Sequence, residues 1–298
     1  MAFVESGQVD VRKQLIDSML TGFAKRAYKM KQAVAIVSTG AWRNDFYQAS
    51  STILTASGTR NVKGIPRGAA YPQAATSFKK IRTDIEKYGL EDSIPWEDII
   101  SGEVAIRDQT IMRIAEGVAN AVDAQIYTGL TGDSGIQSFF VNVKYGATHN
   151  SAGSWNQSSA AIMDDLEYAE QLIGTQDYDT SNIFVFVNYR DKRAIMKYLT
   201  DTGAQYPKVS EGLLTAANGQ IGRIGNKTFI VSQAVSASQA LVVIPKKCAT
   251  WKELYPLTTD VQNEPLKDVR IRAVELGVLQ VTDPQAIVHL KGTQDSVA

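Results

Sequence analysis

The chain reads as an α+β protein, with helices and strands mixed along its length rather than alternating as regular βαβ units. Three observations carry this reading. A single long stripe of apolar side chains at helical spacing runs from about residue 104 to 127. Short β-prone runs, some alternating and some continuous, occupy much of the chain after it. Before it, β-prone stretches at 33–37 and 51–55 and an alternating stretch at 78–85 bracket the segment SGTRNVKGIPRGAAYPQAA, which has too little apolar surface to build a core.

Taken in order, residues 9–30 place Val11, Leu15, Ile16, Met19, Leu20, Phe23 and Ala27 three and four apart, which predicts an amphipathic helix. Residues 1–31 hold six Lys/Arg against three Asp/Glu, so this end is locally basic. The following stretch predicts a long hairpin with a polar, Gly-rich tip. An isolated hairpin is marginal in water, so this one needs a surface to lie on, either the chain's own core or another subunit. The helix near 104–127 carries Ile111, Ile114, Ala115, Val118, Ala119, Val122 and Ile126 as one apolar stripe. It is expected to end at Gly129, Gly132 and Gly135.

Beyond a Gly/Ser/Asn-rich stretch with one strand at 139–143, a second helix is predicted over 160–173. The continuous apolar run at 182–187 marks a strand covered on both faces. A helix starts near Asn188-Tyr189, and strands follow at 219–230, 240–244, 251–257, 269–281 and 286–290. Asp283-Pro284 turns the chain between the last two.

Composition narrows the function classes. Of 298 residues, 31 are Lys or Arg and 31 are Asp or Glu, so the formal net charge is zero. That balance argues against a dedicated nucleic-acid binder, which carries a basic excess, and suits a protein that meets many copies of itself. The single cysteine, Cys248, excludes an intrachain disulfide and a thiolate-rich metal site. It is expected to be a buried, inert thiol in a reducing cytoplasm. The first residues lack a secretory pattern and no apolar run is long enough to span a bilayer.

No catalytic or ligand-binding motif stands up. Gly219, Gly222 and Gly225 have GxxGxxG rather than GxGxxG spacing, and strand rather than helix follows, so they read as turn glycines and not as a nucleotide cradle. Gly132-Asp133-Ser134-Gly135 resembles a serine-nucleophile loop but lacks a base and an orienting acid. His149 and His289 are isolated, so neither metal nor cofactor is expected. Asp164-Asp165 and Glu91-Asp92 are expected to face water, and Trp42, Trp96, Trp155 and Trp251 to anchor local cores. Arg60, Lys63 and Arg67, at the hairpin tip, are too sparse for a nucleic-acid groove but suit contacts to carboxylates on a neighbouring subunit.

The order of parts then resembles the HK97-type major capsid proteins of tailed bacteriophages. Local stretches are similar too: Ala124-Gln125-Ile126-Tyr127-Thr128-Gly129 closing the long helix, the strand and helix around Tyr189 and Arg190, and Asp283-Pro284-Gln285-Ala286-Ile287-Val288 near the end. The resemblance implies an N-terminal arm over 1–40, an E-loop over 41–88, a P-domain with the spine helix over 89–155, and an A-domain over 156–264. It implies that residues 265–298 return to the P-domain as strands. It further implies self-assembly into hexamers and pentamers of an icosahedral head around double-stranded DNA, with non-specific DNA contact, a portal protein, and separate scaffolding or decoration proteins as partners. The place of action would be the virion, assembled in the host cytoplasm, with no membrane contact and no enzymatic activity. Loops 57–76 and 200–220 would adapt to quasi-equivalent positions. The Lys–Asn cross-link of some members is not expected, because Asp268 follows Lys267 where the Asn would stand. Rival readings are an encapsulin-like compartment shell, a phage tail or connector protein, and a soluble nucleotide-binding enzyme.

Overall fold

The computed structural model describes residues 28–49, 66–70, 78–95, 97, 104–132, 139–142, 153–157, 160–176, 178–202, 220–264 and 267–294. Its first half contains β1 (Ala35–Ser38), β2 (Arg43–Ala49), β3 (Phe78–Asp84), β4 (Glu86–Pro95), α1 (Val104–Thr131) and β5 (Phe139–Asn142). The second half contains α2 (Ile162–Gly174), β6 (Ile183–Val187), α3 (Tyr189–Thr202), β7 (Gln220–Ile224), β8 (Lys227–Val231) and β9 (Gln239–Val243). β10 (Thr250–Glu264), β11 (Asp268–Gln280) and β12 (Ile287–Lys291) complete it. The mixture is α+β, as the sequence predicts.

A four-stranded sheet has the order β1-β10-β11-β4. Its centre is the long antiparallel β10–β11 ribbon, which runs from the Thr250–Gln280 pair to the Glu264–Asp268 pair. The ribbon's register shifts on both sides of Tyr255, and Pro256, which has no N–H to give, sits where the second bulge leaves the ladder open. On β11, Ile271, Ala273, Glu275 and Gly277 alternate inward, the period-2 pattern of a sheet with one covered face.

α1 supplies that cover. Ile111, Ile114, Val118, Val122 and Ile126 are all buried. Two glycines let the helix seat closely: a Cβ at Gly117 would meet Leu90 Cδ2 at 2.8 Å, and one at Gly129 would meet Leu279 Cδ2 at 2.5 Å. The twelve residues between them rise about 18 Å, matching the roughly 20 Å of β11 from Ala273, the partner of Leu90, to Leu279. The helix therefore lies along the strand. Gly129 does not end the helix, which continues to Thr131; closeness to Leu279, not termination, explains a glycine there.

The second sheet has six strands in the order β5-β12-β9-β6-β8-β7. The β6, β8, β9 and β12 rows are nearly all buried, as expected for apolar runs covered on both faces. α2 turns Ile162, Leu166, Ala169 and Ile173 inward, and α3 turns Ala194, Ile195 and Leu199 inward. The glycines at 222 and 225 have φ of 126° and 60°; Gly225 makes the tight turn joining β7 to β8.

The predicted strand at 33–37 is β1, which pairs in parallel with β10, and the hairpin arm that pairs antiparallel with β3 is β2, a strand the sequence reading does not single out. The arm was missed because its sequence, RNDFYQA, is mostly polar and its strand character comes only from pairing. Two expectations about organisation change as well. The expected division at 264/265 falls inside the β10–β11 ribbon, since a hairpin turn is not a boundary between cores. Of the closing strands, β11 joins the four-stranded sheet, but β12 lies between β5 and β9 in the six-stranded one. The 28–30 end of the predicted N-terminal helix begins a 3-10 turn at Met30–Ala33; residues 9–27, 51–55, Trp96, Gly135 and His149 lie outside the described residues.

Candidate assembly surface

The β2–β3 hairpin has two unlike faces because side chains alternate across it. On one, the directly opposed pairs Arg43–Asp84 and Asp45–Arg82 form ion pairs at 2.7 and 3.2 Å, and Lys80 reaches Asp45 at 2.8 Å. Hydrogen bonds from Lys80 and Arg82 hold the Asp45 carboxyl below the usual aspartate range. These pairs stand in solvent, where screening leaves them little stabilising value. Tyr47 and Phe78 are 63% and 59% exposed on this same ladder.

The other face grips the body of the protein. Gln48 is buried, and its Nε2 donates to the Val281 carbonyl at 3.0 Å. Gln280 Nε2 donates to Thr83 Oγ1 at 2.9 Å, and the Ile85 N–H donates to the Trp42 carbonyl at 3.1 Å. The hairpin is thus rooted at the end of β11, while its outer face stays open. Trp42, expected as a core anchor, is 56% exposed at this root; Trp155 and Trp251 are fully enclosed. Arg67 stands in an exposed turn whose Gly68 has φ of 78°. Arg60 and Lys63 lie outside the described residues.

A buried polar cluster ties the start of the described chain to α1 and β11. Asp123, on α1, accepts the backbone N–H groups of Lys29, Met30 and Lys31 at 2.7, 3.1 and 3.3 Å. Burial pushes its carboxyl up to about 6 against the pull of those bonds. Lys31 Nζ reaches Glu275 at 2.7 Å and Glu253 at 3.0 Å. Glu275 also accepts from the Tyr28 hydroxyl and, at 3.2 Å, from Trp251 Nε1. Burial and the adjacent Glu275 hold the Tyr28 hydroxyl in its protonated form.

The C-terminal end is pinned in a similar way. Asn188 Oδ1 accepts from the Arg190 N–H at 3.2 Å and caps α3. Asp191, in the helix's first turn, accepts from Gln294 Nε2 at 2.8 Å. The Trp155 N–H donates to the Thr293 carbonyl at 2.7 Å, and Trp155 Nε1 donates to Asp165 at 2.8 Å. Asp165 is therefore buried rather than facing water, because the apolar stripe of α2 leaves it on the inward side. Its spacing, three residues after Ile162 and four before Ala169, is that of the buried stripe, and Trp155 supplies the partner that lets an acid stand there.

Burial pushes the Asp191 carboxyl up to about 6, from an ordinary value of about 4. The folded chain therefore binds this proton more tightly than the unfolded one. The resulting stabilisation is complete below about pH 4 and is lost as pH rises through about 6. Urea unfolding of Asp191→Asn beside the parent is expected to show a stability gap that differs by on the order of 2 kcal/mol between pH 4 and 7. A gap that does not change with pH would refute the assignment.

Among the described residues, the chemistry-bearing side chains do not converge. His289 is buried in β12, with Nε2 3.1 Å from Gln239 Oε1, which also accepts from the Tyr127 hydroxyl at 2.5 Å. Burial pushes the Cys248 thiol up to about 12, which keeps it unreactive. Among the described residues, no group of three or more His, Cys, Asp or Glu is placed to hold a metal ion, and no helix is long and apolar enough to cross a membrane. What the molecule offers is a rooted hairpin with an open face.

The fold is similar to a virus-like particle subunit from Pyrococcus furiosus, with a TM-score of 0.62 and 10% identity over 94% of this chain and 99% of that one. It is similar to the capsid of cyanophage P-SCSP1u, with a TM-score of 0.63 and 10% identity over 89% and 88% of the two chains. It also matches the mature capsid of bacteriophage PhiM1, with a TM-score of 0.60 and 13% identity over 90% and 88%. At these identities the likeness establishes the HK97-type capsid fold alone. No curated protein sequence matches the chain. Residues 79–290 match the family model described as phage capsid protein, which spans more than half of the chain from the hairpin's second strand to β12. By that match, carried on this fold, the chain belongs to the phage capsid protein family.

Proposed function

We propose that copies of this chain form hexamers and pentamers that close into the icosahedral head around phage double-stranded DNA. The observation that carries this reading is the β2–β3 hairpin, whose outer ladder, with Tyr47 and Phe78 exposed, is not covered by the chain's own core. A neighbouring subunit supplies the missing surface, and Arg60, Lys63 and Arg67 at the tip would meet its carboxylates. In this reading, residues before 41 act as the arm, the four-stranded sheet with α1 as the P-domain and spine, and the six-stranded sheet as the A-domain. Portal protein and separate scaffolding or decoration proteins are its partners, and the shell assembles in the host cytoplasm.

The shell is held by non-covalent contacts. Lys267 Nζ is 2.7 Å from Glu264, and Asp268 takes the position of the expected Asn and pairs with Arg270 at 3.3 Å. A denaturing gel of assembled particles is expected to show a single-subunit band; a ladder of linked subunits would contradict this. Deleting residues 57–76 is expected to leave folded subunits that form no particles under negative-stain microscopy. Closed shells of normal size from that variant would sink the proposal.

A further inference from the structure

α3 carries Arg190, Lys192, Arg193 and Lys197, all exposed. Among the described residues, no carboxylate lies within ion-pair distance of any of them. The contrast with the hairpin and β11 is direct: there Arg43, Lys80, Arg82, Arg270 and Arg272 each have an acidic partner. Asp191, in the first turn of the same helix, is buried and bound to Gln294.

The spacing makes a single surface. Arg190, Arg193 and Lys197 are related as i, i+3 and i+7, and so share one side of the helix over about 10 Å. Lys29 extends the patch, with its Nζ 3.5 Å from the Tyr189 hydroxyl and 5.7 Å from the ring centroid, at the start of the same helix. The local excess stands out because the whole chain is neutral, 31 cations to 31 anions. It is also placed against the helix's own interest: Arg190, Lys192 and Arg193 occupy the N-terminal part, where the helix dipole disfavours cations. A merely solvated face gains nothing from that placement, whereas an external polyanion is attracted by both the side chains and the dipole.

We infer that this face of α3 is where the subunit meets the phosphate backbone of duplex DNA, without reading sequence. Arg190, Arg193 and Lys197, with Lys29 beside them, set three or four cations over about 10 Å against a duplex that carries one negative charge per about 1.7 Å of axis, so close contact releases counterions from several phosphates. The inference rests on the shell reading for the identity of the polyanion. An acidic protein segment is the competing occupant.

The test uses the full chain, a random-sequence duplex of about 30 base pairs, and a salt titration. The variant R190Q/K192Q/R193Q/K197Q is compared with the parent and with the smaller pair R190Q/R193Q and K246Q/K252Q, which are matched in charge. The fourfold variant is expected to bind at least about tenfold more weakly at low salt, with a log–log salt slope shallower by about 3. R190Q/R193Q is expected to show about two thirds of that slope change, and K246Q/K252Q to bind like the parent. Equal losses in the two matched variants would reduce the effect to overall charge and overturn the inference. So would unchanged binding in the fourfold variant, or tighter α3-dependent binding of polyglutamate than of the duplex. Microscopy of the same samples separates the two readings: if parent and variants alike form no shells, the shell reading fails. If shells form while DNA binding ignores α3, only this inference fails.

Discussion

Lys31→Met is expected to destabilise the subunit by about 3–5 kcal/mol, the usual consequence of removing one partner from a buried ion pair. Glu275 is fully enclosed between α1 and the four-stranded sheet, and among the described residues Lys31, at 2.7 Å, is the one cation paired with it. With Lys31 gone, the Tyr28 hydroxyl and Trp251 Nε1 still donate to the carboxylate, but neither carries the charge that offsets its desolvation. The less enclosed Glu253 loses the same cation. The cost arises from the stranded charge rather than from a lost attraction, so neutralising the partner restores much of it. The double variant Lys31→Met/Glu275→Gln is expected to be clearly more stable than Lys31→Met alone, by urea unfolding of the isolated subunit. Additive losses across the two changes would contradict the coupling. Because Lys31 lies in the turn that Asp123 holds on α1, the same substitution also loosens the root from which the preceding residues depart.

Gly277→Ala is the second large effect, expected to cost about 3 kcal/mol, at the upper end of the usual range for overfilling a core. A Cβ there would lie 2.5–2.7 Å from three atoms of the Trp251 ring. That ring has nowhere to go. It is fully buried, its Nε1 donates to Glu275, and Tyr88 lies against it at 5.9 Å between ring centroids. The sign is diagnostic, since alanine in place of glycine in an unobstructed strand would stabilise slightly. At Gly129 the obstruction is the end of the Leu279 side chain, which can rotate aside, and alanine is the better helix former. Gly129→Ala should therefore cost far less than Gly277→Ala. A thermal melt that ranks them the other way would show that the Trp251 ring yields.

Both effects sit in the body formed by α1, β10 and β11 and not in the hairpin, and this gives the molecule its division of labour. The rigid part is the β10–β11 ribbon with α1 laid along it and both ends of the described chain pinned by buried carboxylates. The hairpin is attached to the end of that rigid part through Gln48, Thr83 and the Trp42 carbonyl. A firm root with an exposed outer face suits a strap that must reach another subunit and hold tension there.

What could be read from the residue order was whatever repeats with a local period. The stripe from Ile111 to Ile126, the apolar run at 183–187, and the alternation along β11 each announce their element, because helix and strand impose spacings of 3.6 and 2 on buried side chains. The linear order of these parts was also enough to suggest the capsid family. Only the folded chain decided which strands are neighbours. β1 joins β10, and β12 leaves β11 for the six-stranded sheet, since strand pairing over long separations has no local signature. The same holds for the polar interior. Lys31 and Glu275 are 244 residues apart, and nothing beside either one distinguishes it from a surface charge. Asp165 and Gly129 depart from the sequence expectation for a related reason: an acid next to another acid and a glycine near a helix end have common local explanations. Here their neighbours in space, Trp155 and Leu279, overrule those explanations. Periodicity is a property of one segment, whereas charge pairing and close approach belong to two, and only tertiary structure brings the second one into place.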